Sequence, residues 1–97
     1  MRDDLIPFDA AEYLTEPEDQ IDLIDEAIAS GDPGEIAHAL GIVARARGMS
    51  KIAQETGIHR QQLYKALSEA GNPTLETMLK VIKALGFTMK IEPIAAE

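Results

Sequence analysis

At 97 residues and 10.5 kDa the chain has room for one domain and one hydrophobic core, which excludes a two-domain enzyme closing over a cleft. Hydrophobic residues at 45% describe a folded chain rather than a disordered one, and the absence of cysteine removes disulfides, thiolate catalysis and Cys-ligated zinc or iron–sulfur sites. The net charge of −8 is unevenly spread: residues 1–40 carry −11 and residues 41–97 carry +3. That split argues for two faces with different partners, although acidic surface residues also serve simply to keep a small domain soluble.

No apolar run approaches the roughly 18 residues of a membrane span. The start, Met1-Arg2-Asp3-Asp4, leads into acidic sequence unlike a signal peptide. A cytoplasmic protein with no membrane partner is expected.

Thr15-Glu16-Pro17-Glu18 reads as a capping box with an early proline. It opens a first helix running to about Ser30, with Ile21, Ile24 and Ile28 on one stripe. Asp32-Pro33-Gly34-Glu35 repeats the logic for a second helix, with Ile36, Leu40, Val43 and Ala44 inward. Arg45 and Arg47 near its end suit the helix dipole. Ser50 is placed to cap a short third helix over about 51–56, and a fourth spans about 60–70. Thr74 caps a fifth over about 75–85, with Leu75, Met78, Leu79, Ile82 and Leu85 at helical spacing. Gly31, Gly48, Gly57, Gly71 and Gly86 each follow a helix-like run, where a left-handed cap is expected. The period then changes. Phe87, Met89 and Ile91 alternate with Thr88, Lys90 and Glu92, which predicts a strand ended by Pro93. One short strand is not stable alone, so it must pair with the stretch around Phe8 or with the same strand of a second subunit. One domain, 1–97, results: an acidic segment and first helix (1–35), a core (36–86), and a strand and tail (87–97).

The stretch 49–68, MSKIAQETGIHRQQLYKALS, is the most informative. Ala53 is small where two short helices must approach, and Gly57 stands where the turn needs positive φ. Ile52, Ile58, Leu63, Ala66 and Leu67 are apolar where the pair must pack on a core. This is the pattern of a helix-turn-helix, whose second helix enters the DNA major groove. A plain αα-hairpin in a bundle satisfies the apolar positions as well, but the exposed positions favour DNA. The fourth helix shows Arg60, Gln61, Tyr64, Lys65 and Ser68 outward, with His59 at its cap. Arg reads guanine bidentately, Gln reads adenine, and Tyr and Lys reach phosphates. No carboxylate occurs from Thr56 to Ser68, whereas an ordinary solvated face mixes Glu with Lys. Ser50 and Lys51, at the start of the third helix, complete the predicted DNA-binding set. Gln62 is an alternative reciprocal capping residue at the third helical position. Gly71-Asn72-Pro73-Thr74 leads into free N–H groups that suit phosphate, but a turn and cap explains those residues better.

Residues 36–92, including ALGIVARARGMSKIAQETGIHRQQLYKAL and GNPTLETMLKVIKALGF, resemble the addiction-module antidote proteins. These are short antitoxins of the XRE-like, lambda-repressor-like helix-turn-helix superfamily, similar in role to the HigA antitoxins. PFDAAEYL at 7–14 resembles the start of that family, so the likeness covers nearly the whole chain. His59 departs from the Ser or Thr that caps the recognition helix in many relatives of the superfamily. The resemblance implies a mainly α fold: a five-helix lambda-repressor-like domain, here with a short C-terminal β-strand. It also implies an antitoxin that neutralises a RelE/ParE-like toxin and represses its own operon by binding operator DNA, usually as a homodimer. The alternative is a protein-binding module that uses the helix-turn-helix only as scaffold.

Catalysis is not expected. His38 and His59 are the only histidines, and His38 has no identifiable acid–base partner. The crowded Asp22, Asp25 and Glu26 match no loop-type calcium site, and no P-loop, nucleophile elbow or dinucleotide fingerprint occurs. No catalytic residue, metal or cofactor is predicted. RNA-cleaving toxins hold phosphates and so present basic surfaces, which makes the acidic first helix the predicted toxin-facing element. Its residues are Glu18, Asp19, Asp22, Asp25 and Glu26. The C-terminal strand, adding to a sheet edge, is the second possibility for that contact.

Overall fold

The computed structural model describes residues 10–95. Five α-helices follow a 3-10 turn at Ala10–Tyr13: α1 (Pro17–Ser30), α2 (Pro33–Arg47), α3 (Met49–Thr56), α4 (Arg60–Ala66) and α5 (Leu75–Ala84).

α2 is the hub. Its run from Ala37 to Ala44 is apolar on nearly every side, and a helix apolar all round belongs in the interior. It touches every other helix, whereas α1 packs on α2 alone among them. Asp32 starts α2 by accepting the Gly34 N–H on Oδ1 at 2.9 Å, and Pro33 fills the first helical position. Leu40 and Val43 of α2 meet Ile52 of α3, Leu63 of α4, Val81 of α5 and Leu85 just after it in one core. Each such side chain contributes about 1.5–3 kcal/mol by leaving water. At Gly41 the chain after α4 comes so close that a Cβ would collide with the Leu67 carbonyl.

Several expectations need correction. The Thr15 capping box does not form: Glu16 is the N-cap of α1 and its side chain makes no cap bond. Of the isoleucine stripe on α1 only Ile24 is buried. Ile21 and Ile28 stay exposed because the buried face is centred on Gln20, Ile24 and Ala27. Ser50 lies inside α3 rather than before it, since Gly48 already turns the chain as the N-cap. α4 stops at Ala66, short of residue 70, and Gly71 does not adopt positive φ as Gly31, Gly48, Gly57 and Gly86 do. Gly71 instead lies against the end of α4, where a Cβ would meet the Ala66 carbonyl. On α5, Thr74 caps as expected, accepting the Thr77 N–H at 3.1 Å. Val81, Ile82 and Leu85 face the core, while Leu75 and Leu79 face outward.

The predicted strand over 87–92 is absent: no strand forms among the described residues. A strand needs a partner backbone, and no described residue supplies one in this region. The expected partner around Phe8 lies outside the described residues.

Candidate nucleic-acid interface

α3 and α4 are joined by Gly57, Ile58 and His59. Gly57 sits at φ 75° and its N–H closes α3 on the Ala53 carbonyl at 2.9 Å. The left-handed conformation costs a side-chain-bearing residue about 1–2 kcal/mol, so glycine is the fitting residue there. Thr56 holds the turn from the other side. Its hydroxyl donates to the Ile52 carbonyl at 2.8 Å and accepts the Ile58 N–H at 3.2 Å. Leu63, fully buried, then fixes the roll of α4 against the core.

That roll decides what α4 shows to solvent. Arg60, Gln61, Gln62, Tyr64 and Lys65 are all exposed. His59 caps the helix, with Nδ1 accepting the Gln61 N–H at a long 3.4 Å. The expected return bond from Gln62 does not form among the described residues, which leaves that amide free on the surface. Arg60 is held on two sides. Its Nη1 donates to the Ser50 hydroxyl of α3 at 3.1 Å, and its guanidinium lies 5.7 Å from the centre of the Tyr64 ring. Ser50 therefore connects the two helices instead of capping one. Lys51 and Lys65 are exposed and, among the described residues, form no ion pair. Ser68 is the outlier of the predicted set. It lies beyond the end of α4, half-buried, and its hydroxyl donates to the Lys65 carbonyl at 2.9 Å. The structure thus brings Ser50, Lys51, His59, Arg60, Gln61, Tyr64 and Lys65 into the α3–α4 unit and assigns Ser68 to closing the last turn.

The acidic side chains Glu18, Asp19, Asp22, Asp25 and Glu26 are all exposed on α1. Because α1 packs only on α2 among the helices, this face is separate from α3 and α4. No group of acidic or histidine residues among those described is arranged to hold a metal ion. No helix among them is long and apolar enough to cross a membrane.

A polar relay that composition did not announce sits at the far end of α2. Gln20 is buried, donates Nε2–H to the Leu14 carbonyl at 2.7 Å and accepts from Arg47 Nε at 2.9 Å. The same Arg47 guanidinium lies 5.3 Å from the Phe87 ring centre. A glutamine in the interior stripe of an otherwise acidic amphipathic helix was the available signal.

A family model described as "Probable addiction module antidote protein" matches residues 4–93. The chain belongs to this antidote family. An uncharacterized protein of Haemophilus influenzae (strain ATCC 51907 / DSM 11121 / KW20 / Rd) is 45% identical over 92 residues, covering 95% of each chain. No solved structure matches. Membership supports an antitoxin role and a toxin partner in general terms, and antidotes of this kind are normally regulatory rather than catalytic proteins.

Proposed function

We propose that the protein is a DNA-binding antitoxin. It neutralises a RelE/ParE-like toxin and, as a homodimer, represses its own operon. The observation that carries the DNA-binding half is the Arg60 fork, supported by Ser50 from one helix and Tyr64 from its own, in a stretch, Thr56 to Ser68, that holds no carboxylate. An arginine whose planar donors are already oriented loses less freedom on meeting a guanine edge, and arginine–guanine is the commonest specific base contact. Gln61 beside it is a reader of adenine, and Lys51, Tyr64 and Lys65 serve the phosphates. One α4 spans few base pairs, so two copies on a pseudo-palindrome, with their α4 helices about 34–36 Å apart, supply the specificity. The acidic face of α1 lies apart from that surface, which lets one chain serve DNA and a basic toxin with different sides.

The test is a fluorescence-anisotropy titration of the protein against a duplex from its own upstream region and a shuffled duplex. We expect the upstream duplex to bind at least about 10³-fold tighter at physiological salt. Equal affinity for both duplexes rejects operator recognition and leaves the helix-turn-helix as a scaffold for protein binding.

A further inference from the structure

The segment after α5 combines a fixed start with unburied apolar side chains. The Phe87 N–H donates to the Ile82 carbonyl at 3.1 Å, and its ring is held under Arg47. Beyond it, Met89 is 44% exposed, Ile91 98% and Ile94 97%. Odd positions 87, 89 and 91 are apolar and even positions 88, 90 and 92 polar, the alternation of a half-buried strand. A backbone with that pattern and no ladder partner among the described residues is a template for another strand.

We propose that residues 88–94 pair antiparallel with the same residues of a second copy, about a two-fold axis at Ile91. Registers centred on Met89, Lys90 or Ile91 each keep apolar opposite apolar and polar opposite polar near the centre, and charge separates them; an axis at Glu92 would set Glu92 against its own copy. An axis at Lys90 sets Lys90 against Lys90 of the second copy, and directly opposed like charges are destabilising. An axis at Met89 leaves Lys90 against Thr88 and requires Gly86, whose φ is 84°, to act as a strand residue opposite Glu92. An axis at Ile91 sets Lys90 against Glu92 of the second copy, and by symmetry Glu92 against Lys90. It also covers Ile91, the most exposed large hydrophobic side chain among the described residues, with its own copy.

Proline agrees with the same register. With the Ile91 pair as a non-hydrogen-bonded pair, Lys90–Glu92 becomes a hydrogen-bonded pair and Met89–Pro93 again a non-hydrogen-bonded one. Pro93 then stands where no backbone N–H is required. The inference deepens the homodimer of the preceding reading and rests on it: it names the surface through which the copies join.

The chain has no cysteine, so Ile91→Cys introduces a single thiol at the axis. At that position like residues face each other with Cα atoms about 4.5 Å apart, within disulfide reach. Full-length Ile91→Cys at micromolar concentration under oxidised glutathione should form covalent dimer about 100-fold faster than Ala29→Cys, an exposed control on α1. The reason is that paired thiols meet at millimolar effective concentration. In sedimentation, Lys90→Glu alone should shift wild-type dimer toward monomer, and Lys90→Glu with Glu92→Lys should restore the dimer. Circular dichroism checks that folding is retained in each. A dimer that persists in Lys90→Glu, with Ile91→Cys no faster than the control, overturns the strand pairing and leaves the homodimer standing. A wild-type monomer at about 100 µM, far above the micromolar range of specific association, overturns both. The segment then belongs to the chain's own N-terminal stretch or to a toxin sheet edge.

Discussion

Arg47, at the end of α2, donates Nε–H to the buried side-chain oxygen of Gln20 on α1 at 2.9 Å. The bond lies in a relay that runs from the Leu14 carbonyl through Gln20 and Arg47 to the Phe87 ring. It ties the chain before α1 and the chain after α5 to α1 and α2. Helix-dipole complementarity, the role expected of Arg47, is therefore the smaller part of what this side chain does.

Gln20→Ala should accordingly destabilise the fold by about 1–3 kcal/mol, since it strands the Leu14 carbonyl and the Arg47 donor. Arg47→Met should cost a similar amount, and the two changes together should cost less than their sum, because both break one network. Urea unfolding followed by circular dichroism measures all three. Additive losses would show that the two residues act independently.

Gly41→Ala sets two effects against each other. Alanine at a helix interior gains about 1 kcal/mol over glycine from propensity. Here the new Cβ would strike the Leu67 backbone carbonyl, and forcing a packed core apart costs typically about 1–3 kcal/mol. The collision is with backbone rather than a flexible side chain, so the penalty should win and the melting temperature should fall. A variant as stable as wild type would mean that the chain after α4 shifts freely.

Those two residues mark where the sequence stops being legible. Helix positions followed from local chemistry: Asp32, His59 and Thr74 cap as their types suggest, and Gly57 turns where a side chain resists. The Leu63 and Leu67 stripe fixed which side of α4 faces out, so Arg60, Gln61, Tyr64 and Lys65 could be placed on the surface from spacing alone. Contacts between distant residues were not legible in the same way. Nothing near Gly41 announces Leu67, nothing near Gln20 announces Arg47, and nothing near Ser50 announces Arg60 ten residues on. Ile21 and Ile28 misled because an apolar type reports a preference, while Gln20 on the true inner face is satisfied by partners far along the chain. The strand over 87–92 misled for a related reason. Alternation specifies a surface that wants a partner, and the partner is not supplied locally.

On the α4 face, Arg60→Ala and Gln61→Ala should each lower specific DNA affinity by about 1–3 kcal/mol and relax base preference at one position. Arg60→Lys should recover little of the specificity, because the ammonium keeps the charge and loses the fork. Lys65→Ala should weaken binding to every duplex and flatten the salt dependence by about one unit of slope. All these side chains are exposed, so melting temperatures should stay within experimental error of wild type. Competition titrations with single-base operator variants make the distinction. Wild-type affinity and base preference in all four variants would remove α4 as the reader.

The acidic face of α1 gives the last prediction, and it separates steering from solubility. Asp22→Lys with Asp25→Lys and Glu26→Lys changes the charge of that face by +6 on a helix that packs only on α2 among the helices, through residues all exposed. Folding should therefore survive the change. If the face guides a basic toxin, association should slow sharply at low salt, because long-range attraction raises encounter rates well above the neutral case. The difference should shrink at high salt, where the screening length falls to about 3 Å at 1 M. DNA binding by the free variant should stay level or strengthen, since fewer carboxylates then repel phosphate. Stopped-flow association with the toxin across a salt series reads the effect directly. Charges that serve only solubility would leave the low-salt association rate unchanged, and the toxin contact would then have to be sought on the segment after α5.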